Sequence, residues 1–357
     1  MKLYKWIFFV FLALAANSCD TCDINSSGGN GSIQKIFFTA SVANAEATSI
    51  YSINKNLNDL NQIVEDGIIF SAPSNTGYFT YLKFNNERKE LHLFDLNNNS
   101  SKLIASESPI FGVYNPILSS DGSRIAINAG DGKLIIYNND NSGTFNQVSS
   151  VFEDNSTTAF SPDSKLLAFV EKNGESSFKI KVIDAVGNSS LNVIYENEYN
   201  FDAESPNYFH FFSWLANSEK LYFSTNNSDS SHIIFIDIIN KEERKVSFDA
   251  KNIKLFDLMI SPDGKYAAFI NLDGNLWVLQ LQNNDYRFYK ISQIPNDYVA
   301  FAPKWAEDSK KILFSIKKKN TQDIYNTLML ADINYESTIS ATSISLVSNN
   351  VFKGFIK

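Results

Sequence analysis

Residues 260–281, ISPDGKYAAFINLDGNLWVLQL, hold two Asp-Gly pairs ten residues apart, each followed by a strand-like apolar run. In the first pair Pro262 presets φ for a turn, Gly264 accepts a positive φ, and Asp263 can bond nearby backbone N–H groups. The second pair, Asp273-Gly274, is a strong hairpin signal, and Asp131-Gly132 in NAGDGKLII repeats it. A calcium loop of the EF-hand kind would place oxygens at alternate positions and a Glu at the twelfth. Neither loop does so. The pairs read as turns of a building unit.

The unit recurs along the chain. Aligned on Asp263, with Phe269 six residues later, the same frame appears at Asp121 and Ile127, Asp163 and Phe169, Asn217 and Phe223, and Asp308 and Phe314. A weaker copy, APSNTGYFTY, pairs Asn75 with Tyr81. The anchors 75, 121, 163, 217, 263 and 308 are separated by 46, 42, 54, 46 and 45 residues. Such an interval holds about four short strands with their turns, the length of a propeller blade. Downstream of each anchor a short apolar run ends in a polar residue: Asp95, Asn138, Asp184, Asp237, Gln280 and Asp332.

Ahead of the first anchor, KIFFTAS, SIYSINKN and LNQIV supply the second, third and fourth strands of a seventh unit that lacks its first. The chain ends in VFKGFIK, which can supply that strand and close the ring. The expectation is an all-β, seven-bladed propeller of four-stranded antiparallel blades over residues 35–357, in preference to six or eight blades. Each sheet cannot bury both faces alone, and radial stacking buries them against one another.

Composition agrees. With 44% hydrophobic residues the 357-residue chain can fill a large core. Its 42 Asn against 15 Gly suit β-structure whose turns lean on Asn and Asp. A formal charge of -8 and the absence of a basic stripe argue against nucleic acid as a partner, the run Lys317 to Lys319 reading as a solvated loop.

The first residues carry Lys2 and Lys5 ahead of an apolar stretch from Trp6 to Ala16, the build of a secretory signal and too short to span a bilayer comfortably. The following AANSC resembles the lipobox of bacterial lipoproteins. That resemblance implies a signal peptide over 1–18, lipid attachment at Cys19, a flexible tether over 19–34, and a net charge moving from -8 to -10 as Lys2 and Lys5 leave. More than one acyl chain on Cys19 would hold the protein on a membrane stably. The competing reading of CDTC as a redox pair lacks the helix that lowers a thiol pKa, since the polar segment DINSSGGNGS follows it.

The SPDGK turns, the LAF-like strands and the apolar runs ending in Asp resemble the β-propeller repeats of the TolB type, related to the propellers of prolyl-oligopeptidase-like enzymes. The resemblance covers about residues 35–357 and is strongest at 116–184 and 258–333. TolB carries an α/β domain ahead of a six-bladed propeller, and there is no room for that domain between the tether and residue 35. The resemblance implies an envelope protein, in the periplasm or at the surface and on the outer membrane, whose propeller binds another envelope protein or a glycan or peptide ligand. No cofactor is expected.

Catalysis finds little support in the residues. A hydrolase of the prolyl-oligopeptidase kind needs a G-x-S-x-G elbow in an α/β domain, and the pattern is absent. His92 and His232 fall at or beside third strands and His210 at a first strand, so no metal site is assigned. The alternative reading is a propeller enzyme acting on glycans or peptides at the channel mouth. A binding face is sought where loops lead into the innermost strands, opposite the SPDG turns. There Phe111, Tyr114, Tyr208, His210, Tyr298 and Phe301 offer large rigid area, either for recognition or to fill the propeller centre. Trp214 and Trp305, each three residues ahead of an anchor, read as inter-blade core.

Overall fold

The computed structural model describes residues 35–41, 48–85, 88–106, 114–129, 133–140, 143–149, 158–172, 177–185, 193–200, 212–226, 230–249, 253–282, 286–321, 326–335 and 338–356. Among them lie 27 β-strands. Blade one holds β1 (Lys35–Ser41), β2 (Thr48–Asn54) and β3 (Asn61–Val64). Blade two is β4 (Ile68–Ile69), β5 (Tyr78–Asn85), β6 (Arg88–Asp95) and β7 (Ser100–Ser106). Blade three is β8 (Tyr114–Leu118), β9 (Arg124–Asn128), β10 (Leu134–Asn138) and β11 (Phe145–Ser149). Blade four is β12 (Thr158–Phe160), β13 (Leu166–Lys172), β14 (Ser177–Asp184) and β15 (Val193–Asn200).

Blade five is β16 (Phe212–Trp214), β17 (Lys220–Asn226), β18 (Ser230–Asp237) and β19 (Glu242–Asp249). Blade six is β20 (Phe256–Ile260), β21 (Tyr266–Ile270), β22 (Leu276–Gln280) and β23 (Arg287–Lys290). Blade seven is β24 (Tyr298–Trp305), β25 (Lys311–Lys318), β26 (Asn326–Asn334) and the first part of β27 (Ser340–Ile356). All pairings are antiparallel between strands consecutive in the chain, with one exception. The strand β27 pairs with β26 as far as Val351, then with β1 from Val351 opposite Ala40 to Ile356 opposite Ile36. Its end is therefore the innermost strand of blade one. The ring is closed by the C-terminal strand, as VFKGFIK predicted.

Seven apolar clusters lie between consecutive blades, one for each interface of a closed seven-membered ring. In YAAFI of β21, Ala267 and Phe269 face blade five while Ala268 and Ile270 face blade seven. Both faces are buried, so second strands read as continuous apolar runs rather than alternating ones. The residues six beyond each anchor, Tyr81, Ile127, Phe169, Phe223, Phe269 and Phe314, are all buried. Trp214 and Trp305 are inter-blade core: their Nε1 atoms donate to Ala159 O at 3.0 Å and Met259 O at 2.9 Å, each in the innermost strand of the preceding blade.

The two repeated sequence marks turn out to be cross-strand partners. Every second strand begins three residues after its anchor, at Tyr78, Arg124, Leu166, Lys220, Tyr266 and Lys311. These pair in order with Asp95, Asn138, Asp184, Asp237, Gln280 and Asp332. The anchors build turns, as expected. Ser119, Ser161 and Ser261 each donate a 2.6 Å bond to the carboxylate two residues on, Asp121, Asp163 or Asp263. Each serine oxygen in turn accepts the N–H that opens the second strand, from Arg124, Leu166 or Tyr266. Burial opposes ionisation of Asp121 and Asp163, but these serine hydroxyls and nearby N–H groups outweigh it and hold both carboxyls below the usual range.

The residue after the anchor has positive φ in five of these turns: Gly122, Ser164, Ser218, Gly264 and Ser309. Serine there explains itself through the neighbouring blade. Ser164 Oγ accepts from Asp121 N at 3.0 Å, Ser218 Oγ from Asp163 N at 3.0 Å, and Ser309 Oγ from Asp263 N at 3.2 Å. A hydrogen bond from the previous turn offsets the left-handed strain.

Candidate functional site

The first strand of each blade borders the central channel, and here the chain departs from its own regularity. The ladder between first and second strands is broken by a bulge between Tyr114 and Ile117, between Phe256 and Met259, and between Phe301 and Lys304. The positions correspond, because Tyr114, Phe256 and Phe301 each lie seven residues ahead of an anchor, Asp121, Asp263 or Asp308. Inside the bulges Asp257 and Ala302 take φ values of 51° and 49°. Non-glycine residues adopt such values only when their surroundings hold them there. The holding contact is visible: Asp257 Oδ2 accepts from Ala302 N at 2.9 Å, tying the bulge of blade six to that of blade seven. Bulges re-aim side chains and concentrate beside binding sites.

Two lysines stand on these inner strands. Lys304 closes the bulge of β24, and Lys353 lies on the C-terminal part of β27. Both are half-buried. The Lys304 side chain feels the Asp257 carboxylate of blade six and also the Lys353 ammonium of blade one. Lys304 and Lys353 stand on the innermost strands of adjacent blades, seven and one. Lys353 Nζ lies 4.7 Å from the ring centre of Phe70, beside β4 of blade two, and 5.3 Å from that of Phe355. Asp257, Lys304, Lys353 and Phe70 thus mark an arc contributed by four consecutive blades.

Burial pushes the Lys304 ammonium below the usual lysine range, against the pull of Asp257. Burial, with repulsion from Lys304 second, pushes Lys353 down to about 8. Elsewhere lysines meet carboxylates: Lys181 with Glu171 at 2.6 Å, Lys179 with Glu196 at 2.9 Å, Lys290 with Asp273 at 2.9 Å. Among the described residues neither Lys304 nor Lys353 has such an ion pair.

Of the expected binding face, Tyr298 and Phe301 lie in the body of β24 rather than in a loop leading to it, and both are half-buried. Phe301 opens the bulge and has Lys317 Nζ 5.5 Å from its ring centre. Tyr298 follows a tight turn, its N–H donating to Pro295 O at 2.8 Å, and Ala300 N donates to Gly274 O at 2.8 Å. The hairpin of blade six therefore meets the start of the innermost strand of blade seven on one face, as expected. Tyr114 begins β8, its side chain lying outside the described residues, as do Cys19, Phe111, Tyr208, His210 and the hairpin at Asp131-Gly132. By spacing, His210 holds in blade five the repeat position of Tyr114, Phe256 and Phe301, since it lies seven residues ahead of Asn217.

The aromatic reading missed Phe256, which the same spacing would have found. It also missed both lysines, whose only sequence signal is a lysine set among aromatics in FAPKW and VFKGF. His92 bonds Glu90 at 3.1 Å and stacks on Tyr81, and His232 sits between Ser230 at 2.9 Å and Ser247 at 3.0 Å. Both lie on third strands, away from the channel. Among the described residues no three His, Cys, Asp or Glu side chains converge as metal ligands would.

No protein-family model matches the chain, and no curated protein matches it. Solved structures do. A protein from Lactobacillus plantarum superposes with a TM-score of 0.60 at 12% identity, over 91% of this chain and 99% of that one. A candidate 6-phosphogluconolactonase from Bacteroides uniformis gives 0.59 at 13% identity, over 91% and 99%. TolB from Acinetobacter baumannii gives 0.48 at 17% identity, over 72% of this chain and 64% of that one. What the first two share with the chain is the fold.

Proposed function

We propose that the chain is an envelope lipoprotein, anchored through Cys19, whose propeller is a rigid platform for another envelope protein or for a glycan or peptide ligand. The observation that carries the binding reading is the coincidence of three register-matched bulges and the half-buried Lys304 and Lys353 on strands bordering one channel. Other register shifts fall mainly between third and fourth strands at the outer edge, whereas these three sit on strands that border the channel, where recognition on a rigid fold can reside. The anchor reading rests on the sequence, with its short apolar leader and AANSC ahead of the tether.

One experiment in two arms tests both halves. Cells expressing the full chain are fed a palmitate analogue, and partners are then captured from detergent-solubilised envelopes. Labelling is expected for the native chain and lost for Cys19→Ala; a labelled variant refutes the anchor. Capture is expected to fall for Tyr298→Ala and Phe301→Ala and to survive Asp263→Asn, which lies on the opposite rim. The reverse pattern refutes the channel face as the platform.

A further inference from the structure

The two channel lysines pose an electrostatic problem that the fold does not solve. A half-buried ammonium costs free energy unless an opposite charge compensates it, and two neighbouring ones repel in addition. The chain has acids in excess, with 39 Asp and Glu against 31 Lys and Arg, yet among the described residues none pairs with Lys304 or Lys353. Asp257 attracts Lys304 without forming an ion pair with it, and its single charge faces two ammonium groups while its Oδ2 also accepts from Ala302 N at 2.9 Å. The Phe70 and Phe355 rings compensate Lys353 only in part. A ligand carrying negative charge would complete the arrangement.

We infer that the central channel binds a small organic anion, its carboxylate or phosphate group seated between Lys304 and Lys353 and the rest of the molecule lying toward Phe70. This deepens the platform reading and rests on it. Lysine suits the role, being a compact point charge whose donors turn to either oxyanion. Net negative charge elsewhere on the chain keeps the attraction local to the channel. Among the described residues the groups around the bound anion would be Lys304, Lys353, Asp257, Phe70 and Phe355, of which Asp257 limits how much negative charge is tolerated on the blade-six side.

Calorimetric titration of the full chain in detergent, at constant ionic strength, with inorganic phosphate and separately with succinate, tests the inference. Saturable binding of at least one is expected at neutral pH. Stronger binding of phosphate assigns a phosphorylated ligand, and stronger binding of succinate a carboxylate one. Lys304→Met and Lys353→Met should each weaken binding about tenfold or more, the scale of one charge-assisted contact. Both variants should fold, since removing a half-buried charge without a partner relieves desolvation, and their melting curves check this. Native binding should weaken as pH rises through about 8, where Lys353 loses its proton. Absence of binding by both anions in a native sample that still captures its envelope partner overturns this inference and leaves the platform standing. Native-like binding in both folded variants overturns it as well.

Discussion

Along the rim that carries Asp121, Asp163 and Asp263, one turn recurs in nearly the same atoms. At the inner strands the chain instead breaks its own ladder at Tyr114, Phe256 and Phe301. The rim turns bond to one another from blade to blade through Ser164, Ser218 and Ser309, so their polar groups are consumed by the scaffold. The inner strands leave two ammonium groups without a carboxylate partner among the described residues. Repetition marks what every blade needs in order to stack. The bulges, confined to some blades, and the two lysines on blades seven and one mark what only part of the ring carries.

The comparison implies that the rim fails by losing fold and the channel by losing binding. The severest test joins them. Deleting residues 351–357 removes the innermost strand of blade one, its ladder with β1, and the buried Val351 and Ile356. Two buried aliphatic side chains and the exposed faces of blades seven and one amount to roughly 5 kcal/mol or more. The melting midpoint should fall by about 10 °C or more, and anion binding should vanish with Lys353. An unchanged melting curve would mean that the ring does not depend on this strand.

A smaller effect separates two glycines of the rim that share a φ of +73°. A methyl group at Gly264 would meet nothing within 4 Å, whereas at Gly122 it would lie 2.6 Å from Thr76 Oγ1 and 2.8 Å from Tyr78 Cδ2. Gly264→Ala should therefore cost only the left-handed penalty, about 1 kcal/mol. Gly122→Ala adds a clash with blade two and should cost about 2–4 kcal/mol by denaturant unfolding. Equal costs would show that the turn is read by conformation alone, with no contribution from its neighbour.

Legibility in the sequence divides along the same line. Blade number, second-strand starts and ring closure could be read because every blade buries both faces, which forces apolar runs at fixed distances from an anchor, and because Tyr266 and Gln280, like their counterparts, are cross-strand partners. The channel was legible only in part. Tyr114 and Phe301 stood out as aromatics in the right segments, but Asp257 and Ala302 give no hint in one dimension that they adopt left-handed backbone. Lys304 and Lys353 are 49 residues apart and come to the inner strands of adjacent blades only because the C-terminal strand returns to blade one. A site assembled by closure has no local motif.

The finest test concerns a residue in which the two demands oppose each other. Ser164 takes φ 63°, a conformation that favours glycine, and its Oγ accepts the N–H of Asp121 from the adjacent blade. Ser164→Gly removes the strain and the bond together. Relief of about 1 kcal/mol and loss of about 1 kcal/mol should nearly cancel in the unfolding free energy. Ser164→Ala keeps the strained backbone and leaves Asp121 N without its acceptor, so it should cost about 1–2 kcal/mol. The difference between the two variants isolates the strain, and the same pair at Ser309, whose Oγ holds Asp263 N at 3.2 Å, should give the same ordering. If alanine cost nothing at both positions, the inter-blade bond would not explain why serine occupies a glycine conformation. The rim would then owe its regularity to turn geometry within each blade and not to contact between blades.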